Sequence, residues 1–587
     1  MAVLAGRRAP ATDAEPPRPR RDVPAAPRGH RGPRGHKPRR QYGLHRPTLR
    51  RALGIEVAAV LVCTLAIALR IPSTTVAVVV IPMALLPFVV VAGRSLLDWA
   101  FTAIRYTTKY APPTGVTSEH IDDDGTPIGI HRIGERVSCV LELRPASGVA
   151  TRLGRSSAIT DGSLDIGVLA DQLVQHDISL SGVTVVGHGA RSASGSPATD
   201  VYEDLIGPLP AVATRTVWIV VTLEAHANEL AAHARGGGTV GMDRTATIAT
   251  RRVARALDTH GISSRLLSRS GIQSAAAHML RGVSVDSLDE TWRAAKMPGV
   301  IRTGFGLDCR ALDAAGLADL WAVPALSTTV VIRLTPTARQ ERIALDGSCG
   351  FVTRTHAPSA PLPGALSMNG RQRQALLTSL PLSIEARGSS DSVCAVTRAH
   401  ASELQLPVAG CGQLVGSDSS GHGVALRIHG SDVASVHVVG ELYLAQQLVF
   451  RAIAVGARIL VRTDRPHAWG PMVDSVATPD KLRIDGGHHR AGTRIELVVH
   501  DFSSAVDALD TTRNDGVTVL TLTEHIPATP MPDPDVSIVQ PGAAGDRVLV
   551  RTPNAQLDLV LVTIPRETAF IGRPRSLRQA TNAYRPG

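Results

Sequence analysis

Two apolar stretches, ALGIEVAAVLVCTLAIAL at residues 52–69 and IPSTTVAVVVIPMALLPFVVVAG at residues 71–93, decide the organisation of this chain. Only Arg70 separates them. At about 1.5 Å per residue, a helix over the first stretch is roughly 27 Å long and one over the second about 35 Å. Both can cross a hydrocarbon layer of about 30 Å, the second with tilt or a kink at Pro82 or Pro87. The pattern predicts a tight transmembrane hairpin within residues 45–110, with both chain ends on one side of the membrane.

The charge distribution indicates which side that is. Residues 1–51 carry fourteen Lys and Arg side chains against three acids, and the rest of the chain carries 48 of each sign. Basic residues flank the outer ends of the hairpin, whereas its turn has only Arg70. By the positive-inside rule we expect both termini in the cytosol and the hairpin in the inner (plasma) membrane. So long a basic start also differs from that of a cleaved signal peptide.

The basic Pro/Arg-rich tail, residues 1–44, has scarcely any large apolar side chains, which predicts disorder. Its expected use is attraction to the anionic headgroups of inner-membrane lipids. Nucleic-acid binding would need a basic domain with stacking aromatics, but the body is neutral and aromatic residues make up 3% of the chain. Glu56 lies about one turn into the first predicted span, where it either snorkels to the interface or packs against a partner helix.

The cysteines do not form a recognisable framework. The six of them are scattered, without a CxxC pair or a His/Cys cluster at metal-ligand spacing. Buried free thiols in a reducing cytosol are therefore expected. The adjacent pair His488-His489 follows Asp485-Gly-Gly, and this predicts a solvated turn.

The remainder of the chain is too long for one ordinary domain. A break in the pattern near residues 385–402 predicts two cytosolic α/β domains, at residues 111–388 and 400–575. Strand–helix–strand alternation with short connections predicts largely parallel sheets in both. The main predicted elements are strands at 128–142, 180–186, 218–223, 435–439, 458–463, 495–500 and 517–522, and helices at 164–176, 244–259 and 441–455.

The second domain contains a unit in the order of a nucleotide-binding βαβ start. A phosphate-binding loop needs GxxxxGK[ST], but the strand at 435–439 leads into Gly440-Glu441-Leu442-Tyr443, with one glycine, no lysine and an acid where an anion would lie. We interpret this as a degenerate nucleotide-binding fold. Upstream, Gly410-Cys-Gly-Gln-Leu-Val-Gly416 resembles a glycine-rich fingerprint but precedes a strand, so tight turns in a hairpin are expected there.

Three further motifs contain side chains or loops that could serve catalysis or binding. Asp122-Asp123-Asp124-Gly125 could hold a divalent ion, although a turn before the strand at 128 is favoured. His188, in Gly187-His188-Gly189, could be a general base, but no Ser-His-acid or paired-carboxylate arrangement accompanies it, so a structural turn is favoured. Arg235-Gly-Gly-Gly-Thr-Val-Gly241 predicts a flexible loop that could receive a partner. No catalytic, cofactor-binding or metal-binding residue is predicted, and no cofactor.

A series of short motifs in fixed order resembles the EccE family of type VII (ESX) secretion systems, known from mycobacteria and related actinobacteria. The resemblance runs from the hairpin to near Asp501, and the stretch after residue 502 has no clear counterpart. The motifs are Ile128-Gly-Ile-His-Arg-Ile-Gly-Glu, Gln175-His-Asp-Ile-Ser-Leu, Val185-Val-Gly-His-Gly-Ala-Arg191, Arg215-Thr-Val-Trp218, Ala246-Thr-Ile-Ala-Thr-Arg-Arg252, Leu320-Trp321, Leu366-Ser-Met-Asn-Gly-Arg-Gln372, Ser379-Leu-Pro381, Leu406-Pro-Val-Ala-Gly-Cys-Gly-Gln-Leu-Val-Gly416, Ala445-Gln-Gln-Leu-Val-Phe-Arg-Ala452 and Gly456-Ala-Arg-Ile-Leu-Val-Arg-Thr-Asp-Arg-Pro-His-Ala-Trp469.

The resemblance implies a non-enzymatic, structural subunit of the ESX inner-membrane complex that stabilises the complex and supports protein export. It implies EccD, EccB, the ATPase EccC and further copies of the chain itself as partners. Two other classes stay open on the residues alone. One is a membrane-anchored nucleotide- or sugar-nucleotide-dependent transferase with Asp122, Asp123 and Asp124 as metal ligands, and the other is a solitary membrane-tethered adaptor.

Overall fold

A computed structural model of the chain describes most of residues 94–572 and three short pieces before them. The described residues are 43–44, 64, 89–91, 94–109, 112–193, 195–310, 312–339, 341–355, 358, 361–384, 393–485, 494–502, 516–525, 533–543 and 545–572. The basic tail before residue 43, Glu56, Cys63 and the pair His488-His489 lie outside them, as do most of the two apolar stretches.

The described residues form a mixed α/β structure. Its strands are β1 Gly43–Leu44, β2 Val89–Val91, β3 Arg94–Ser95, β4 Val116–Ile121, β5 Pro127–Ile133, β6 Arg136–Leu143, β7 Ala150–Gly154, β8 Ser157–Ile159, β9 Ser163–Asp165, β10 Val174–Gln175, β11 Ile178–Ala190, β12 Thr214–Glu224, β13 Ser264–Leu266, β14 Asp289–Glu290, β15 Ala295–Met297, β16 Val300–Leu307, β17 Ser327–Pro336, β18 Arg342–Thr353, β19 Leu366–Ser367, β20 Cys394–Thr397, β21 Gln405–Pro407, β22 Gln413–Ser417, β23 Gly423–Leu426, β24 Ser435–Val439, β25 Ile459–Thr463, β26 Leu482–Ile484, β27 Leu497–Asp501, β28 Thr518–Thr523, β29 Val536–Val539, β30 Arg547–Thr552 and β31 Ala555–Leu561.

Among the described residues the helices are fewer than the strands. They are α1 Leu96–Thr107, α2 Ile166–Asp171, α3 Pro197–Ile206, α4 Glu229–His233, α5 Gly238–Asp258, α6 Arg269–Met279, α7 Ala314–Ala322, α8 Gln372–Leu377, α9 Arg398–Glu403, α10 Leu442–Ala454, α11 Pro466–Val476 and α12 Pro565–Ile571, with single 3-10 turns at His226–Asn228, Val285–Ser287 and Pro541–Ala543.

The first large sheet has the strand order β14-β15-β16-β18-β17-β11-β12-β6-β5-β4. The prediction of largely parallel pairing is wrong for this sheet, because each of these neighbouring pairs is antiparallel. Hairpins such as β5–β6 and β17–β18 supply many of its connections, and a hairpin imposes antiparallel pairing. Helix α5 covers one face through Ala246, Val253 and Leu257, and α6 covers part of the other through Ile272 and Ala275.

The second large sheet is mixed. Its order is β26-β25-β27-β28-β24-β29-β30-β31-β22-β23-β7-β8, parallel from β26 to β29 and antiparallel beyond. The predicted strand Ser435–Val439 has the bounds expected, and the helix after it is α10. The division into domains at 111–388 and 400–575 stays a prediction. Strands β7 and β8 pair in the second sheet, whereas β20 pairs with β18 of the first.

A third, three-stranded sheet lies at the edges of the apolar segment. Gly43 and Leu44 pair with Val90 and Val89, and Val91 pairs with Arg94. The prediction that the second apolar helix extends to residue 93 is therefore wrong at its end. The β-branched run Val89–Val91 favours a strand. Among the described residues, no helix is both long and apolar enough to cross a membrane.

Candidate functional site

The carboxyl ends of the parallel strands form the edge where α/β folds usually bind ligands. Strands β24, β25, β27, β28 and β29 end there at Val439, Thr463, Asp501, Thr523 and Val539. Polar residues follow or end each of these strands. This edge is therefore the first candidate for a catalytic or ligand-binding site in the second large sheet.

The junction between β24 and α10 is filled by its own side chains. The Glu441 amide donates to Gln540 Oε1 at 3.0 Å, and the Gly440 amide donates to the Thr523 carbonyl at 2.9 Å. A Cβ on Gly440 would lie 2.6 Å from Gln540 Oε1, and the Glu441 side chain is buried. The amides that would meet a phosphate thus have partners already, and a buried carboxylate lies beside them. The degenerate nucleotide-binding fold stays a prediction, supported by this arrangement.

A second cluster at the same edge surrounds the buried carboxylate of Asp501. It accepts hydrogen bonds from Trp469 Nε1 at 2.7 Å, Thr463 Oγ1 at 3.0 Å and Arg465 Nη2 at 2.6 Å. Arg465 also reaches Glu524 Oε1 at 3.4 Å. The hydrogen bond to Asp501 raises the pKa of Arg465 above its usual value. The carboxylate is thus engaged by three side-chain donors of the protein itself, an arrangement that fits a structural role.

Helix α10 begins at this edge and carries a fully buried ion pair near its C-terminal end. Arg451 Nε donates to Glu567 Oε1 at 2.7 Å, and both side chains are 1% exposed. Arg451 also donates to the carbonyls of Leu414, Val415 and Val562. The guanidinium therefore joins α10, β22 and α12. Its chemistry is that of a structural clamp.

Two other arginines from the family-like motifs make similar clamps between separate chain segments. Arg191 donates to the carbonyls of Gly207, Leu209 and Ala322. Arg215 lies over the Trp321 ring at 4.3 Å and donates to two carbonyls of the segment 407–409. Burial lowers the pKa of Arg215 to about 10. These side chains compensate buried backbone groups and bind the segments together.

His188 lies inside β11, so the prediction of a turn at this residue is wrong. Its Nδ1 is 2.9 Å from Thr329 Oγ1, and its ring meets the His278 ring edge-on. Burial, with the nearby His278, Arg302 and Arg281, lowers the pKa of His188 to about 3. The ring is therefore neutral at physiological pH. Sequence reasoning missed this because glycines on both sides interrupt the strand pattern.

The two remaining loop motifs have plain structural roles. Asp122 begins the turn between β4 and β5, and Arg251 forms ion pairs with Asp122 and Asp124. The predicted turn is confirmed. Residues 238–241, predicted as loop, already belong to α5, and Arg235 pairs with Asp177. Among the described residues, no group of three or more His, Cys, Asp or Glu side chains is placed to hold a metal ion.

Five cysteines fall within the described residues, and all five are buried thiols, as predicted. Burial raises the pKa of Cys139 to about 12 and that of Cys411 to about 11. Thiols of this kind stay protonated and are poor nucleophiles. The glycine-rich segment before β22 is also as predicted, because β22 and β23 form a hairpin. Gly412, at φ +73°, approaches the Leu426 carbonyl too closely for a side chain.

Two buried histidines predict how stability depends on pH. Burial lowers the pKa of His131 to about 4, as it does that of His188 to about 3, from 6.5 in the unfolded chain. Below pH 6.5 these two histidines bind protons in the unfolded state but not in the folded state. The free energy of unfolding therefore falls as the pH drops towards 4. Each histidine contributes a slope of up to about 1.4 kcal/mol per pH unit.

Urea unfolding of the detergent-solubilised chain at pH 7, 6 and 5 measures this slope. His188→Gln should make it shallower, whereas His467→Gln, at an exposed side chain, should change it far less. Equal slopes for all three proteins would contradict the role assigned to His188.

Comparisons with known proteins agree with the motifs. Residues 211–307 match the EccE family model, described as type VII ESX secretion system translocon. The chain is 25% identical over 382 residues to the ESX-1 secretion system protein EccE1 of Mycolicibacterium smegmatis, covering 64% of this chain and 74% of that protein. It is 24% identical over 402 residues to EccE1 of Mycobacterium tuberculosis H37Rv, covering 68% and 76%.

A relative from another system aligns over a longer range. The ESX-2 secretion system protein EccE2 of Mycobacterium tuberculosis CDC 1551 is 22% identical over 449 residues, 75% of this chain and 77% of that protein. The family match includes β12, α5 and β16 of the first sheet. In the order of its motifs and in these comparisons, the chain is similar to the EccE proteins of type VII (ESX) secretion systems, and residues 211–307 match the EccE family model.

Proposed function

We propose that this chain is a non-catalytic structural subunit of an ESX inner-membrane complex, which it stabilises in support of protein export. The observation that carries the proposal is the use made of the family-like motifs. Four of their polar side chains, Arg191, Arg215, Arg451 and Trp469, are engaged in buried or part-buried contacts within the chain. A motif whose polar side chains bind other segments of the same chain stabilises a rigid body. A catalytic motif, in contrast, has to present such groups to a substrate.

The membrane topology is part of the proposal. Residues 43–44 precede the apolar segment and pair antiparallel with residues 89–90 at its end. The two ends of the apolar segment therefore lie side by side, as a two-helix transmembrane hairpin requires. The enclosed segment is long enough for two spans of about 20 residues. Its basic flanks support cytosolic termini and an inner-membrane location.

The partners follow from the family. The relatives described above are named as ESX secretion system proteins. We propose that this chain assembles with EccD-, EccB- and EccC-like proteins and with further copies of itself. The neutral, rigid cytosolic body and the membrane hairpin would give it two separate surfaces for such contacts.

Affinity purification of the tagged full chain from detergent-solubilised membranes tests this proposal. We expect EccB-, EccC- and EccD-like proteins to co-purify in constant proportion, and not with an unrelated tagged two-helix membrane protein. A chain recovered alone would contradict the proposal and favour the solitary adaptor. Binding of Mg²⁺-nucleotide that Asp123→Ala abolishes would favour the transferase instead.

A further inference from the structure

Helix α1 follows the apolar segment directly and has one face fixed to the protein body. Trp99 stacks on Trp292 with a centroid distance of 5.9 Å, and Tyr106 meets the same ring edge-on at 5.3 Å. Thr102, fully buried, accepts a hydrogen bond from Arg371 Nε at 2.9 Å. Residues 99, 102 and 106 share one face at helical spacing. The orientation of the helix on the body is therefore fixed.

The opposite face of α1 is apolar and exposed. Phe101 is 53% exposed and Ile104 is 57% exposed, and Leu97 lies one turn before Phe101 on the same face. Two basic residues come next. Arg105 lies in the last turn of the helix, and Lys109 lies just after its end. The one acid of the helix, Asp98, accepts a hydrogen bond from Ser95 Oγ at 2.7 Å in the N-terminal cap. An apolar stripe bordered by cations is typical of a helix at a membrane surface.

The position of α1 relative to the apolar segment favours lipid as the partner of this face. Trp99 Nε1 donates to the Val91 carbonyl at 2.9 Å, so the helix is tied to the strand that ends that segment. Phe101 lies only about 8 Å further along the helix axis than its first residue. The aromatic cluster of Trp99, Tyr106 and Trp292 also fits the interface, where Trp and Tyr are enriched.

We propose that α1 lies flat on the cytosolic leaflet, with Phe101 and Ile104 inserted at the boundary between headgroups and acyl chains. Arg105 and Lys109 would then lie at the level of the lipid phosphates, where anionic lipids attract them. The inference rests on the membrane anchoring proposed above. Because the opposite face of α1 is fixed by Trp292 and Arg371, this contact orients the whole cytosolic body against the membrane.

Spin labels report the contact in the full chain. In a Cys63→Ala background the five described cysteines are buried, so a label at Ile104→Cys or Phe101→Cys is selective. The protein is reconstituted, without partners, into nanodiscs of phosphatidylcholine and phosphatidylglycerol. We expect a label at residue 104 to collide frequently with oxygen. Its collision rate with a water-soluble nickel chelate should be several-fold lower than that of a label at Leu230→Cys, a matched apolar site that is 88% exposed.

Equal nickel accessibility at residues 104 and 230 in nanodiscs would overturn the proposal. If residue 104 then became protected only in the assembled complex, a protein would cover this face instead of lipid. Absence of the chain from the nanodisc fraction is a separate result and would contradict the membrane anchoring itself. Phe101→Asp with Ile104→Asp should release α1 from the lipid while the chain stays in the nanodisc.

Discussion

Replacing Arg451 by Ala is expected to lower the free energy of unfolding by about 3–5 kcal/mol, because it breaks a fully buried ion pair. The variant leaves the Glu567 carboxylate without its cation, at a side chain that is 1% exposed. It also removes the donor for the carbonyls of Leu414, Val415 and Val562. Urea unfolding of the detergent-solubilised chain, followed by circular dichroism, measures the loss.

The control for this prediction is an exposed pair of the same type. Arg547 and Asp558 are 2.9 Å apart at side chains that are 67% and 60% exposed, so Arg547→Ala should cost no more than about 1 kcal/mol. The double variant Arg451→Met with Glu567→Leu should recover part of the stability, since an apolar pair removes the unpaired charge. Similar losses for Arg451→Ala and Arg547→Ala would contradict the clamp.

Replacing Asp501 by Ala is expected to cost about 2–4 kcal/mol, because three donors lose their acceptor in a buried place. The donors are Trp469 Nε1, Thr463 Oγ1 and the Arg465 guanidinium. Trp469 is fully buried, so its indole N–H would have no water to replace the carboxylate. Urea unfolding gives the loss, and the near-ultraviolet circular dichroism reports the packing of the tryptophans.

A matched control is the carboxylate that follows β26, another parallel strand of the same sheet. Asp485 pairs with Arg462 at 3.3 Å, and the two side chains are 46% and 44% exposed. Asp485→Ala should therefore change the free energy of unfolding by about 1 kcal/mol or less. An equally small effect of Asp501→Ala would mean that the cluster around Asp501 does not stabilise the fold. This edge of the sheet would then again be a candidate catalytic or ligand-binding site.

The sequence predicted the parallel part of the second sheet well. Buried parallel strands are short continuous apolar runs, and the strand at 435–439 is one of them. The first sheet was harder because helical segments between strands occur in antiparallel α/β structures as well, so alternation alone does not determine the direction of pairing. The glycines around His188 hid the full length of β11, which extends to Ala190.

The buried clamps left only partial signals in the sequence. Arg451 is the only charged residue of a mostly apolar helix, which indicates a buried partner, but Glu567 is 116 residues away. Asp501 and Thr463 become neighbours only through the register of β25 with β27. The exchange of β7 and β8 into the second sheet has no local signal either. Side chains far apart in the chain are brought together by sheet pairing, and a single sequence does not encode that pairing in a readable pattern.

The size of the ESX membrane complex in cells that lack this chain tests the central claim most directly. Membranes are solubilised in mild detergent and separated on a native gel, and an EccB- or EccC-like protein is detected. We predict a large assembly in wild-type cells, smaller or unstable species without the chain, and recovery of the large assembly when the full chain is supplied. An assembly of unchanged size and amount without the chain would contradict its role as a stabilising subunit.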